Sequence, residues 1–167
     1  MFDTYAIGVC RIEPENNIHV IQEAFADAEL PLVMVGNWSN SAYGRGLLEQ
    51  YRNCANLLMH PPVYDHKQLD ELRRGCKLYV HGHSCGGTNP SLVEAMFLGL
   101  PIVAFDVNFN RETTENRAMY FHDAANLRRI VRDMDETKRR DLAAAMKEIA
   151  DRRYTWGRIA ELYAKLF

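Results

Sequence analysis

An α/β fold built on an open, mostly parallel, doubly wound sheet of about six strands is what this sequence predicts. Apolar, β-rich runs alternate with helical patterns along the whole chain. Those runs are continuously apolar, as in strands covered by helices on both faces. The size agrees: 167 residues, 47% hydrophobic and 25% charged, suit one soluble globular domain (residues 1–167) with one sizeable core.

The elements follow in order. Tyr5–Cys10 reads as a strand, and Asn17–Asp27 as a helix through Ile18, Ile21, Ala24 and Phe25. Leu32–Val35 is a strand, followed by a Ser/Asn cluster from Asn37 to Asn40 and a helix over Ser41–Arg52. Asn56–His60 is a strand stopped by Pro61 and Pro62, since proline cannot continue a ladder. Tyr64–Arg74 holds a short helix, and Lys77–His81 is a strand. The helix Asn89–Leu98 opens on a capping Asn and a Pro and closes at Gly99, before a strand at Pro101–Phe105 and a long polar loop. Met119–Phe121 is a short strand, with helices over Ala124–Arg132 and Glu136–Asp151. Tyr154–Phe167 carries a helical stripe of Trp156, Ile159, Ala160, Tyr163 and Phe167, widened by Tyr154, Leu162 and Leu166. That stripe either packs on the domain's own helices or covers a partner domain.

Composition narrows the function classes. A net charge of −2 gives no general attraction to nucleic acid or to an acidic membrane, so any anion site is local. No apolar run approaches the ~20 residues of a membrane span, and no secretory segment is present. Cys10, Cys54, Cys76 and Cys85 lack CxxC spacing and read as reduced thiols of a cytosolic protein. No Walker A, nucleophile elbow or GxGxxG turn occurs.

The chemistry concentrates between Cys76 and Glu112. In open parallel sheets ligands sit beyond the carboxyl ends of the strands, where Val9–Asn17, His81–Glu94 and Asp106–Glu115 are predicted to converge. Gly86, Gly87, Thr88, Asn89, Pro90 and Ser91 lead into a helix whose first N–H groups, Ser91 to Val93, have no partners within it. With the helix dipole they suit a diphosphate, and the glycines allow close backbone approach. Glu94 shares a face with Pro90 and Ser91, on a helix apolar enough that its charge needs a partner, and suits sugar hydroxyls. Arg11 is the best placed cation for a phosphate. Arg111 and Glu112 are candidates to contact a sugar or one another. His81, His83 and Cys85 have alternating spacing, yet no matching ligand set lies nearby, so no metal is expected and His83 reads as a donor to the diphosphate.

Cys10-Arg11-Ile12-Glu13-Pro14-Glu15-Asn16-Asn17, the run Gly86-Gly87-Thr88-Asn89-Pro90-Ser91-Leu92-Val93-Glu94-Ala95-Met96, Gly99-Leu100-Pro101 and Asn110-Arg111-Glu112 together resemble the C-terminal domain of the retaining GT-B glycosyltransferases of family four. The likeness covers nearly the whole chain and is strongest from Pro90 to Glu112. Within it, the branch that transfers rhamnose or glucose resembles this chain most. The resemblance implies a Rossmann-like single C-terminal GT-B domain that binds a nucleotide-diphosphate sugar and no cofactor. Glu94 would be the second glutamate of the Glu-(seven residues)-Glu motif and hold the ribose. Arg11 would hold the diphosphate as the catalytic cation, and Gly86 to Ser91 would cradle phosphate and sugar. Two positions depart from the pattern: the first glutamate falls on Gly86, and the lysine that accompanies the arginine falls on Asn16. Neutralisation of the diphosphate then leans on Arg11, the helix N-terminus and a histidine.

The resemblance further implies an N-terminal domain, absent here, that carries a glycan or lipid-linked acceptor for surface polysaccharide synthesis. The isolated chain would catalyse little. The whole enzyme would be cytoplasmic, with peripheral association at the inner face of the membrane. Two other classes stay open: a nucleotide-sugar epimerase of the same architecture, and a non-catalytic α/β binding module.

Overall fold

The computed structural model describes residues 4–165 and holds six parallel strands among its described residues. They are β1 (Ala6–Val9), β2 (Leu32–Val35), β3 (Leu57–His60), β4 (Leu78–His81), β5 (Ile102–Phe105) and β6 (Met119–Phe121), in spatial order β3-β2-β1-β4-β5-β6. Ala6 pairs with both Leu32 and Leu78, and Val103 with Met119. The chain winds outward from β1 to β3, then returns to the far side of β1 to lay down β4. Strand order reverses between β1 and β4, the place where open parallel sheets form a ligand crevice.

Helices cover both faces. α1 (Ile18–Phe25), α2 (Ala42–Tyr51) and α6 (Ala124–Arg132) bury Ile18, Ile21, Phe25, Leu47, Leu127 and Ile130 against Ala6, Met34, Val80 and Val103. α3 (His66–Arg74), α4 (Pro90–Phe97) and α7 (Glu136–Arg153) pack Leu69, Leu92, Met96, Met146 and Ile149 against Ile7, Val33, Tyr79 and Ile102. Neighbouring strand residues thus feed opposite cores, which is why the strands read as unbroken apolar runs.

Element ends follow cap chemistry. Ser41 accepts from the N–H of Gly44, Asp65 from that of Gln68, Asp123 from that of Asn126 and Asp135 from that of Lys138. Two short elements were not expected. Pro14–Asn16 forms a 3-10 turn, and α5 (Asn108–Thr113) replaces part of the predicted polar loop. α5 is six residues long, and Val107 gives it no side-chain cap, so neither periodicity nor capping announces it.

The last helix, α8 (Trp156–Ala164), corrects one of the two readings of the aromatic stripe. Trp156, Ala160 and Tyr163 stand in solvent rather than on the domain's own helices, and Ile159 is half-buried. Tyr154 does turn inward and donates to the carbonyl of Thr113 at 3.1 Å. Leu166, Phe167 and the side chain of Leu162 lie outside the described residues.

Candidate functional site

The loops after β1 and β4 are stitched together at the crevice. Asn17, in the left-handed region at φ 48°, donates from Nδ2 to the carbonyl of Gly82 at 2.9 Å. Ser84 gives both its backbone N–H and its hydroxyl to the carbonyl of Glu15, each at 2.8 Å. Gly82 must be glycine: a Cβ there would stand 2.0 Å from the carbonyl oxygen of Asn16.

Beside this seam opens a cavity of about 570 Å³, a usual size for a small-molecule site. Its walls come from Val9–Glu13 and Asn16 after β1, Val35–Asn37 and Asn40 after β2, and Pro62–Tyr64 after β3. Leu69 and Arg73 of α3, His83, and Asn89–Ser91 with Glu94 of α4 complete it. Arg11, His83, Asn89, Ser91 and Glu94, drawn from distant parts of the sequence, are therefore brought together.

Glu94 has the partner that its setting requires. Its Oε2 lies 2.6 Å from a terminal nitrogen of Arg73, whose side chain is only 3% exposed. Asp70 stands 3.6 Å from the other terminal nitrogen. The pair fixes a carboxylate at the cavity wall while leaving half of it accessible. Arg11 is exposed at the rim, and its nearest carboxylate among the described residues is Glu15 at 3.9 Å. A weakly engaged guanidinium at a cavity mouth can take an oxyanion at little cost.

The amino end of α4 differs from expectation. The N–H of Ser91 is taken by Asn89 Oδ1 at 3.0 Å, and those of Leu92 and Val93 reach the carbonyl of Asn89 at 3.1 and 3.2 Å. The first turn is capped from within, so its dipole rather than a row of unpaired donors faces the cavity. The hydroxyl of Ser91 donates to the carbonyl of Val9 at 3.2 Å and accepts from Tyr79 at 3.2 Å, which ties α4 to β1. Burial pushes the Tyr79 phenol up to about 12, so it keeps its proton and can donate there.

Four predicted residues lie elsewhere. Gly86, Gly87 and Thr88 are exposed and do not line this cavity. The hydroxyl of Thr88 instead meets that of Thr113 at 3.3 Å. Arg111 turns to Asp106, with Nη2 2.8 Å from its Oδ2, and stacks 4.2 Å over the ring of Tyr120. Arg111 and Glu112 do not pair; Glu112 meets Arg153 at 3.5 Å. The third predicted segment, Asp106–Glu115, thus buttresses the site from behind: Asn110 donates to the carbonyls of His83 and Phe105, each at 2.9 Å.

Other groups support the site without reacting. Cys10 lines the cavity, but burial pushes its thiol up to about 12, so it is no nucleophile at neutral pH. His81 is buried and held neutral, its pKa pushed down to about 3 by burial and then by His83. Among the described residues no three His, Cys, Asp or Glu side chains gather as metal ligands would. No helix among them is long and apolar enough to cross a membrane.

Sequence reasoning missed Arg73 and the walls after β2 and β3. Arg73 reads only as one of two basic residues ending a helix, and nothing local distinguishes it from Arg74.

Residues 3–153 match the family described as glycosyl transferases group 1. Over 48 residues the chain is 42% identical to the UDP-N-acetylglucosamine–peptide N-acetylglucosaminyltransferase GtfA subunit of Streptococcus parasanguinis, which spans 29% of this chain and 10% of that protein. Anabaena HepE, solved with UDP, superposes at a TM-score of 0.85 with 20% identity over 98% of this chain and 48% of HepE. The C-terminal domain of a group 1 glycosyl transferase protein, LpcC of Francisella tularensis, superposes at 0.76 with 15% identity, over 91% of this chain and 87% of that one. The chain therefore spans about a tenth of the curated relative and about half of HepE.

Proposed function

The chain belongs to the glycosyl transferases of group 1, and from that premise we propose that it is the donor-binding domain of a family-four enzyme that transfers a rhamnose- or glucose-like sugar from a nucleotide diphosphate. HepE is described with UDP and with UDP-glucose, and its fold is shared by this chain. One observation carries the reading. A half-exposed carboxylate, Glu94, is anchored by a buried arginine in the same cavity as an under-used guanidinium, Arg11, and the amino end of α4. Carboxylate and cations in one cleft suit a ligand that has both vicinal hydroxyls and a diphosphate.

In this reading Glu94 accepts hydrogen bonds from the ribose. Arg11 and the α4 dipole meet the diphosphate and stabilise the charge that grows on it as the glycosidic bond breaks. This chemistry needs no metal. The acceptor, a glycan or lipid-linked saccharide of surface polysaccharide synthesis, belongs to a facing N-terminal domain. The isolated chain binds nucleotide and transfers little sugar, and the whole enzyme works in the cytoplasm at the inner face of the membrane.

Calorimetry with UDP and uridine tests the phosphate role. Arg11→Ala weakens UDP about tenfold or more, as loss of a hydrogen bond to a charged group does, and leaves uridine nearly unchanged. Equal losses for both ligands would remove Arg11 from the phosphate site, and absence of UDP binding to the unaltered chain would end the reading.

A further inference from the structure

We propose that His83 accepts a hydrogen bond from a hydroxyl of the donor sugar through Nε2, and that Asn16 sets the tautomer that allows it. The inference rests on the donor-site reading above and adds the group that reads the sugar.

The geometry fixes the proton. Asn16 is buried, and its Nδ2 lies 2.8 Å from the carbonyl oxygen of Arg11. A carbonyl only accepts, so that atom is the amide nitrogen and the other is the oxygen. The Asn16 Oδ1 lies 2.9 Å from His83 Nδ1, which must therefore be the N–H of the ring. A neutral imidazole protonated at Nδ1 carries its lone pair on Nε2.

His83 lines the cavity, and its Nε2 makes no hydrogen bond among the described residues, so the lone pair is unused. Nε2 lies beside Gly86, where a Cβ would stand 3.3 Å away. Gly86 adopts φ 126°, a conformation closed to ordinary side chains, so no residue at that position competes for Nε2. The Asn16 contact at Nδ1 holds the ring of His83. Its backbone carbonyl is held by Asn110, and Phe109 stands 5.7 Å from it, centroid to centroid.

The surrounding charges keep the acceptor available. Burial lowers the pKa of His83, with Glu15 opposing and Arg11 assisting from the loop after β1. His81 of β4, 6.0 Å away between centroids, is itself neutral. The imidazole is thus uncharged at neutral pH. Asn16 and Gly86, the two departures from the glycosyltransferase pattern, flank this one histidine. A lysine at position 16 could only donate and would not hold Nδ1–H; a glutamate at position 86 would offer the acceptor that Nε2 offers here.

Two measurements test the proposal. Nitrogen-15 NMR of the imidazoles in the full chain at neutral pH is expected to show His83 protonated at Nδ1 and bare at Nε2, with the preference lost in Asn16→Leu and kept in Asn16→Asp. Calorimetry then compares UDP-glucose and UDP-N-acetylglucosamine with UDP, and dTDP-rhamnose with dTDP. For the best bound pair, His83→Leu lowers the advantage of the sugar nucleotide over its bare nucleotide about tenfold, and His83→Gln, which retains an acceptor, restores part of it. A proton on Nε2, or equal weakening of both members of the pair, overturns the proposal while the donor-site reading stands. Failure of every nucleotide to bind overturns both.

Discussion

A guanidinium inside a protein must be matched or it costs several kilocalories, and Arg73 is matched on two sides, by Glu94 and Asp70. Its Nε makes no hydrogen bond among the described residues, so the Glu94 contact carries much of the compensation. Glu94 consequently has two roles that mutation separates. Glu94→Ala is expected to lose about 1.5–3 kcal/mol of donor affinity, the range for hydrogen bonds to a charged group. It also lowers stability, by less than the about 3–5 kcal/mol of a fully buried pair, because Glu94 is half exposed and Asp70 remains. Arg73→Met, which fills the space without charge, releases Glu94 from its fixed rotamer and weakens UDP while sparing stability. Calorimetry and urea titration on the two variants measure this, and an unchanged UDP affinity in both would detach the pair from the site. Glu94 was readable from the sequence as a charge on an apolar helix. Its partner, twenty-one positions upstream, was not, since pairing across two helices depends on tertiary placement alone.

At the scale of elements, β4 and its loop bear two strains. His81 is inside the fold with its pKa pushed down to about 3 by burial, against 6.5 for the free side chain. Between those values the unfolded chain binds a proton that the folded chain refuses, so stability falls as pH drops from 6.5 toward 3. The slope is about 1.4 kcal/mol per pH unit from this residue, and no further change arises above 6.5. Urea unfolding at several pH values should show a shallower dependence in His81→Leu; parallel slopes would contradict the burial argument. One residue on, Gly82→Ala forces its Cβ into the Asn16 carbonyl. The cost should fall at the upper end of the about 1–3 kcal/mol of overpacking, with loss of nucleotide binding as the β1 and β4 loops separate. A melting temperature equal to that of the unaltered protein would show the loops to be loosely joined.

The same scale shows what was legible. Strands and long helices were readable within a residue or two, because continuous apolar runs and Ser or Asp caps mark them. The 3-10 turn at Pro14–Asn16 and α5 were not readable. Both are too short for a periodicity, and they are held by contacts to distant loops, such as Asn16 to His83 and Asn110 to the same residue.

For the whole molecule, the sheet order sets the site. Reversal between β1 and β4 opens one crevice, and the cavity extends from it over β2 and β3 rather than toward β5. The sequence placed the convergence at the right end of the sheet but included the loop after β5, whose Arg111 and Asp106 satisfy each other instead. Behind the crevice, α7 is tied to the α5–β6 connection by Arg117 with Glu148 and by Arg152 and Arg153 with Glu115. These exposed pairs are worth little individually, so the buried seam of Met146 and Ile149 against α4 sets the position of α7. The site therefore rests on a rigid back wall, with its ligand-facing groups on loops.

Amide hydrogen exchange of the full chain with and without UDP tests the central claim most directly, because it reports where a nucleotide diphosphate binds. Slowed exchange confined to Cys10–Asn17, Asn37–Asn40 and Asn89–Glu94 is the predicted result. Protection centred on α7 and α8, or on the Asp106–Glu115 segment, would contradict it.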